Sequence, residues 1–399
     1  MKIYPRLVVV YALAALGARA GVAHAAQPSG HQQSQAPAVP DASTGWDTQA
    51  AAKYLDDRMS LWFEKADKLH TDKDPTSCVS CHTTVPYAIA RAALRKATGQ
   101  TQATPQEIKL LDETVRRVKT YDSHERLYES KDEQSRGTEA VLNLLILAGE
   151  DARQGRHEAS ETTRKALEEL WKRQRPDGVW NWLDFANEPY ESTDSLCYGA
   201  ALAAIAVPTV PGYAAAPDAD ALSHIAKLRD YLNHAYPGES LYNRIWVLLA
   251  SARLGGVLTR DQREAVAAQL MNQQNADGGW SLHALGPWTW SKPSPPFAPK
   301  GEPEASLLSK SDGYATGLVT YALRQAGMPS ENAALNKASA WLAANQRECQ
   351  IDQARWNCWR TYSLNYDREH GGKHGDPWSR MFMSDAATAF AVLALLPAD

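Results

Sequence analysis

Cys78-Val-Ser-Cys81-His82 is the sharpest chemical signal in the chain. A C-x-x-C-H run in an exported protein marks an attachment site for c-type haem, with two thioethers from the cysteines and axial iron ligation by the histidine. The same residues serve two other chemistries, a disulfide or redox pair between Cys78 and Cys81, or zinc coordination. If haem is held, its sixth ligand must come from the same face of the molecule. Met381 and Met383, just before Asp385, are the first candidates, and His370, His374 and His124 are the histidine ones. His370 and His374 flank a Gly-Gly-Lys tip, a pattern equally expected of a solvated loop.

A second constellation is acidic. Asp194, Asp312 and Asp385 each follow Thr or Ser and each opens a small-residue or apolar segment; Glu139 and His82 hold the corresponding places in two further segments. Helix capping alone accounts for such residues, since Asp, Ser and Thr satisfy orphan backbone N–H groups and favour the helix dipole. Where helix starts converge on one cavity, however, carboxylates face a ligand and one another. Like charges in a closed site raise a pKa, which is how a general acid is made. Asp312 and Asp385, from adjacent segments, are the favoured pair, with Asp194 the third candidate. Cys349 and Cys358 lie close in one loop and are expected to form a disulfide in an oxidising compartment. Cys197 is then a buried thiol with no histidine beside it to activate it.

The elements that must position these groups repeat along the chain. An amphipathic helix runs into a Gln-rich turn, a polar loop and a second, small-residue helix at Leu167–Asp194, Leu270–Asp312 and Leu342–Asp385. Period and breakers give six such hairpins: 50–65 with 83–97, 105–119 with 137–148, 162–174 with 194–206, 220–234 with 241–254, 260–273 with 312–326, and 331–346 with 385–396. The first helix of each strong copy has one apolar stripe (Leu167, Leu170, Trp171), whereas the second is apolar or small all round and so must be buried all round. Stacked copies with no polar end unit make a closed, all-α double ring, an α/α toroid of about six hairpins in a single domain. The long loops 62–82, 176–193, 277–311 and 347–384 then emerge at one mouth, roofed by Trp288, Trp290, Trp356, Trp359, Tyr362, Tyr366 and Trp378.

Gln174-Arg-Pro-Asp-Gly178-Val-Trp180 and Gln274-Asn-Ala-Asp-Gly278-Gly-Trp280 fit Q-x-x-x-G-x-W. This resembles the QW motif of squalene–hopene cyclases and related terpenoid cyclases, and the resemblance implies the α/α toroid over most of 150–399. The third copy, Gln346-Arg-Glu-Cys, lacks the Gly and Trp. The chain also departs from the cyclases in having no D-x-D-D acid motif, and from the related prenyltransferase β-subunits in lacking their Asp-x-Cys zinc pair. Neither activity follows from the resemblance.

Length, composition and ends set the remaining limits. With 44% hydrophobic residues the chain is globular, and a net charge of −4 gives no electrostatic case for nucleic acid or an anionic membrane surface. Lys2, Arg6, the apolar 7–18 run and Ala23-His24-Ala25 read as a signal peptide over 1–25, followed by a disordered spacer over 26–44 and the toroid over 45–399. The expected compartment is periplasmic or extracellular, with no stable membrane span after cleavage. The leading expectation is haem c at the mouth of a hydrophobic lumen, working on a hydrophobic polyprenyl or terpenoid molecule in a redox or lyase/isomerase role, with a redox partner protein. Two alternatives stand beside it: a haem electron carrier or sensor without enzymatic activity, and haem-free Asp-dependent cyclisation or polysaccharide chemistry.

Overall fold

Twelve α-helices alternate between two environments in the computed structural model, which describes residues 45–69, 74–123, 128–213, 217–289, 308–351, 353–365 and 381–397. The expected signal peptide and spacer, and with them His124, Trp290, Tyr366, His370, His374 and Trp378, lie outside the described residues. The outer helices are α1 (Thr48–Lys65), α3 (Pro105–Lys119), α5 (Glu161–Arg173), α7 (Ala219–Ala235), α9 (Arg260–Asn272) and α11 (Ala333–Ala344). Between them in sequence come α2 (Thr84–Ala97), α4 (Asp132–Arg153), α6 (Leu196–Thr209), α8 (Leu241–Arg253), α10 (Gly313–Gln325) and α12 (Phe382–Leu395).

Composition separates the two sets. In α6 every residue of 197–204 is buried, because nothing in Cys-Tyr-Gly-Ala-Ala-Leu-Ala-Ala needs water. In α5 only Thr163, Ala166, Leu167, Glu169 and Leu170 are buried, one stripe of a charged helix. Side-chain caps start the outer helices at Asp47, Thr104, Ser160, Asp218, Thr259 and Asn332. The inner helices pack in the order α2–α4–α6–α8–α10–α12, and α12 returns to α2, so the ring is closed. The fold is an α/α toroid.

The glutamine–tryptophan turns show how neighbouring units are joined. Gln174 Nε2 donates to Gly178 O and to His224 O at the start of α7, and Gln274 Nε2 donates to Gly278 O and to Ala334 O at the start of α11. Each glutamine therefore ties its own turn to the next outer helix, rather than only capping its own. Trp180 and Trp280 each donate Nε1–H back to a leucine carbonyl ten residues earlier, Leu170 and Leu270. Gly178 has φ +91°, and a Cβ there would stand 2.3 Å from Lys227 O, so both conformation and contact demand glycine.

The third copy is not degraded but interrupted. Trp359 Nε1 donates to Leu342 O across 17 residues, making the bond that Trp180 and Trp280 make across ten. The extra residues form an antiparallel hairpin, Arg347–Ile351 with Ala354–Cys358, closed by the expected Cys349–Cys358 disulfide. Gln346 also does its work: its Oε1 accepts from Asp47 N (2.6 Å) and its Nε2 donates to Asp47 O (2.8 Å), clasping the last unit to the first.

A cluster of aromatic rings sits among the inner helices. Tyr190, Tyr198, Tyr242, Tyr314, Trp246 and Phe390 pack ring against ring, and the hydroxyls of Tyr190 and Tyr242 lie 2.6 and 3.0 Å from that of Tyr314. These rings come from α6, α8, α10 and α12 and from the 176–193 loop, and they pack where Ala-rich helices alone would leave space.

Candidate functional site

His82 ends the turn that leads into α2, at the mouth where the long loops gather. Its ring stacks on Phe382 with centroids 4.1 Å apart and meets Trp62 edge-on at 5.3 Å. Trp62 is held in turn by its Nε1–H donating to Cys78 O at 2.7 Å. These contacts fix the plane of the imidazole, and hydrogen bonds fix its protons. His82 Nδ1 lies 2.9 Å from Thr83 Oγ1, and Thr83 Oγ1 donates to Asp385 Oδ2 at 2.8 Å.

Asp385 is the hub of this network. Its Oδ1 accepts from Tyr54 OH and from Arg58 Nε, both at 2.7 Å, and its Oδ2 accepts from Arg58 Nη2 at 3.1 Å. Arg58 and Asp385 are both buried, an ion pair sealed from water between α1 and α12. Burial pushes the Tyr54 phenol well up, and the Asp385 charge adds to it. Burial opposes the Arg58 charge, yet Asp385 beside it holds the guanidinium above its ordinary range.

The expected acidic set divides here. Asp312 caps α10: Oδ1 accepts from Tyr314 N, Ala315 N and the Thr361 hydroxyl, and Oδ2 from Leu282 N. Burial raises its carboxyl to about 6 even so, with those hydrogen bonds opposing the rise. Asp312 and Asp385 share no partner and do not face one another as a pair. The repeat frame explains why. Thr316 and Thr388 accept from the backbone N–H of Trp280 and Trp359, so Ser384, not Asp385, is the counterpart of Asp312. Asp194 neither caps α6 nor lines a lumen: it is exposed in the short Thr193–Ser195 turn, where Oδ2 accepts from the Thr289 hydroxyl. Glu139 is buried against Arg117 at 3.0 Å. Cys197 is buried, and burial, with Glu239 beside it, pushes its thiol well up, so it is no nucleophile.

A cleft of about 20 Å³ opens at His82, lined also by Asn187, Glu188, Tyr190, Glu191, Asn365, Phe382 and Met383. Asn187, Glu191 and Phe382 are half-buried at its rim, and the other five are buried below. The Asn187–Glu191 turn is locked by two backbone bonds, Asn187 N to Glu191 O (2.9 Å) and Glu191 N to Asn187 O (2.7 Å). Glu188 is steadied by accepting Thr289 N–H at 2.8 Å. None of these cleft residues except His82 and Met383 stands out in the sequence. The available signal was two carboxylates, Glu188 and Glu191, three apart in a long loop.

The donor types of a c-type haem site lie near one cleft. Cys78 and Cys81 flank the site, His82 and Met383 line the same cleft, and Met381 is buried outside it. A porphyrin lies across Nε2 of its axial histidine, where this cleft has room for about one water. The cleft would have to widen to hold the group. The thiols carry no disulfide. Burial pushes Cys78 up to about 12, and burial with Glu191 pushes Cys81 well up too, so neither is a thiolate at neutral pH. Among the described residues no group of three or more His, Cys, Asp or Glu is arranged to hold a metal ion, and no helix is long and apolar enough to cross a membrane.

No family model and no curated protein matches the chain. Solved structures do. A variant of an unsaturated glucuronyl hydrolase with the oligosaccharide dGlcA-Glc-Rha-Glc is similar at TM-score 0.50 and 11% identity, over 87% of this chain and 95% of that one. An inactive variant of an α-1,6-mannanase of Salegentibacter sp., in complex with α-1,6-mannotriose, is similar at TM-score 0.48 and 12% identity, over 87% of this chain and 100% of that one. At such identities the likeness concerns the fold alone.

Proposed function

We propose that the protein is an exported enzyme performing acid–base cleavage on a hydroxyl-rich, carbohydrate-like ligand at the His82 cleft. The observation that carries this reading is the cleft lining: a histidine, two carboxylates and two carboxamides around one opening, with Phe382 at the rim. Carboxylates and carboxamides match hydroxyl groups, an aromatic rim suits the apolar face of a sugar ring, and glycoside cleavage uses a pair of carboxyls. A terpenoid would leave those polar groups unmatched. The ligand lies across the mouth, against the rim residues Asn187, Glu191 and Phe382, while the cleft itself has room for about one water. The glucuronyl hydrolase toroid, seen with an oligosaccharide, agrees with this ligand class. The test is product release from a panel of α- and β-linked oligosaccharides, with Glu188→Gln and Glu191→Gln compared. Loss of an acid–base group lowers turnover by about 10²–10⁴-fold, and unchanged turnover in both variants ends the reading.

A second reading keeps covalent haem on Cys78 and Cys81, favoured by one observation: His82 and Met383 line the same cleft. It requires the cleft to open. Absorbance of protein matured with a haem-c assembly system tests it, and absence of a pyridine haemochrome band removes it.

A further inference from the structure

We propose that Thr83 and Asp385 are positioning residues that hold His82, which lines the cleft, in the Nδ1-protonated tautomer. The argument is a count of protons. Asp385 is ion-paired with Arg58, and an ionised carboxylate only accepts. The single proton of the Thr83 hydroxyl is therefore spent on Asp385, 2.8 Å away. Toward His82, 2.9 Å away, that oxygen has only a lone pair to offer. Nδ1 must supply the proton, which leaves Nε2 as the basic nitrogen.

A second, independent observation points the same way. Thr83 stands at the N-cap of α2, where a threonine hydroxyl ordinarily accepts a backbone N–H, yet it makes no such bond. Ser80 caps instead, its Oγ accepting from Thr83 N and Thr84 N. Thr104 and Thr259, at the starts of outer helices, do spend their hydroxyls on capping. The Thr83 hydroxyl is thus released for the histidine–carboxylate relay. Because Tyr54, Arg58 and Thr83 come from the first unit and Asp385 from the last, the tautomer is set across the closing seam of the ring.

The consequence for turnover rests on the proposed acid–base role, but the tautomer itself does not, and the experiment separates them. Protein labelled with ¹⁵N-histidine is examined by NMR at a pH where the ring is neutral, and His82 is assigned by difference from His82→Gln. The expected spectrum shows a pyrrole-type Nδ1 and a pyridine-type Nε2. Thr83→Val shifts the proton toward Nε2 and Thr83→Ser restores the original pattern, with circular dichroism confirming that both variants are folded. A pyrrole-type Nε2 in the parent, or an unchanged pattern in Thr83→Val, overturns the proposal. A tautomer that responds as expected while oligosaccharide turnover does not sustains the positioning role and sinks the acid–base one.

Discussion

Replacing Asp385 by Ala strips the buried centre of the ring closure of the carboxylate that Tyr54, Arg58 and Thr83 share. Arg58 and Asp385 have side-chain exposures of 2% and 3%, so water does not take over the role of the lost partner. The guanidinium then loses its buried carboxylate partner, a loss of about 3–5 kcal/mol. The Tyr54 and Thr83 hydroxyls lose their acceptor at the same moment, which places the expected loss at the upper end of that range. The companion variant, Arg58→Met with Asp385→Ala, removes the buried positive charge as well. It should recover about 2 kcal/mol or more, since apolar replacements of buried pairs are often close to neutral. Urea unfolding followed by the fluorescence of the 13 tryptophans gives the midpoints, compared at a common m value. A loss below about 1 kcal/mol for the single variant, or a double variant no more stable than the single, would refute the view that this pair is a sealed ionic clasp.

Three further outcomes follow from the same geometry. Asp312 binds its proton more tightly folded than unfolded, so its contribution is fully present below about pH 4 and is lost as pH rises through about 6; at roughly two pKa units this is about 3 kcal/mol, and denaturation across pH 4–7 should show a correspondingly flatter dependence in Asp312→Asn. An unchanged slope would contradict the assignment. Gly178→Ala, with a Cβ 2.3 Å from Lys227 O, should lose about 1–3 kcal/mol more than Gly99→Ala, also left-handed but with open space around it; equal midpoint shifts would remove the close-approach argument. Joint replacement of Cys349 and Cys358 by Ser opens a short loop and should lower stability by about 2–3 kcal/mol, measured by thermal or urea unfolding; an unshifted midpoint would show that the hairpin holds itself together without the bond.

The double ring was legible because a small-residue helix such as 196–209 has nowhere to go but inside, and because two intact Q-x-x-x-G-x-W turns fix the phase of the repeat. Helix limits read from caps and breakers agree with the structure to within a few residues, α4 excepted, which starts five residues earlier at Asp132 and ends five later at Arg153. The third tryptophan was obscured by an inserted hairpin, whose own trace was the Cys349/Cys358 spacing. Equating Asp385 with Asp312 failed for a local reason: α12 begins at Phe382, so Ser-Asp at 384–385 lies one position out of register with Ser-Asp at 311–312. The site was half visible. His82 announced itself through its motif, whereas Glu188, Glu191 and Asn365 acquire meaning only when three loops from different units are brought to one opening. No periodicity encodes such a meeting. The aromatic cluster was also beyond reach, since rings spaced along separate helices do not reveal that they meet.

The hairpin lodged between Gln346 and Trp359 shows that this joint takes up added chain without disturbing the indole beneath it. Elsewhere around the circle, at Gln174–Trp180 and Gln274–Trp280, the same joint stands short. Each is a socket: grafting a comparable disulfide-braced finger there would place new side chains beside the opening while the barrel of helices kept its shape, so selectivity can be remodelled one spoke at a time.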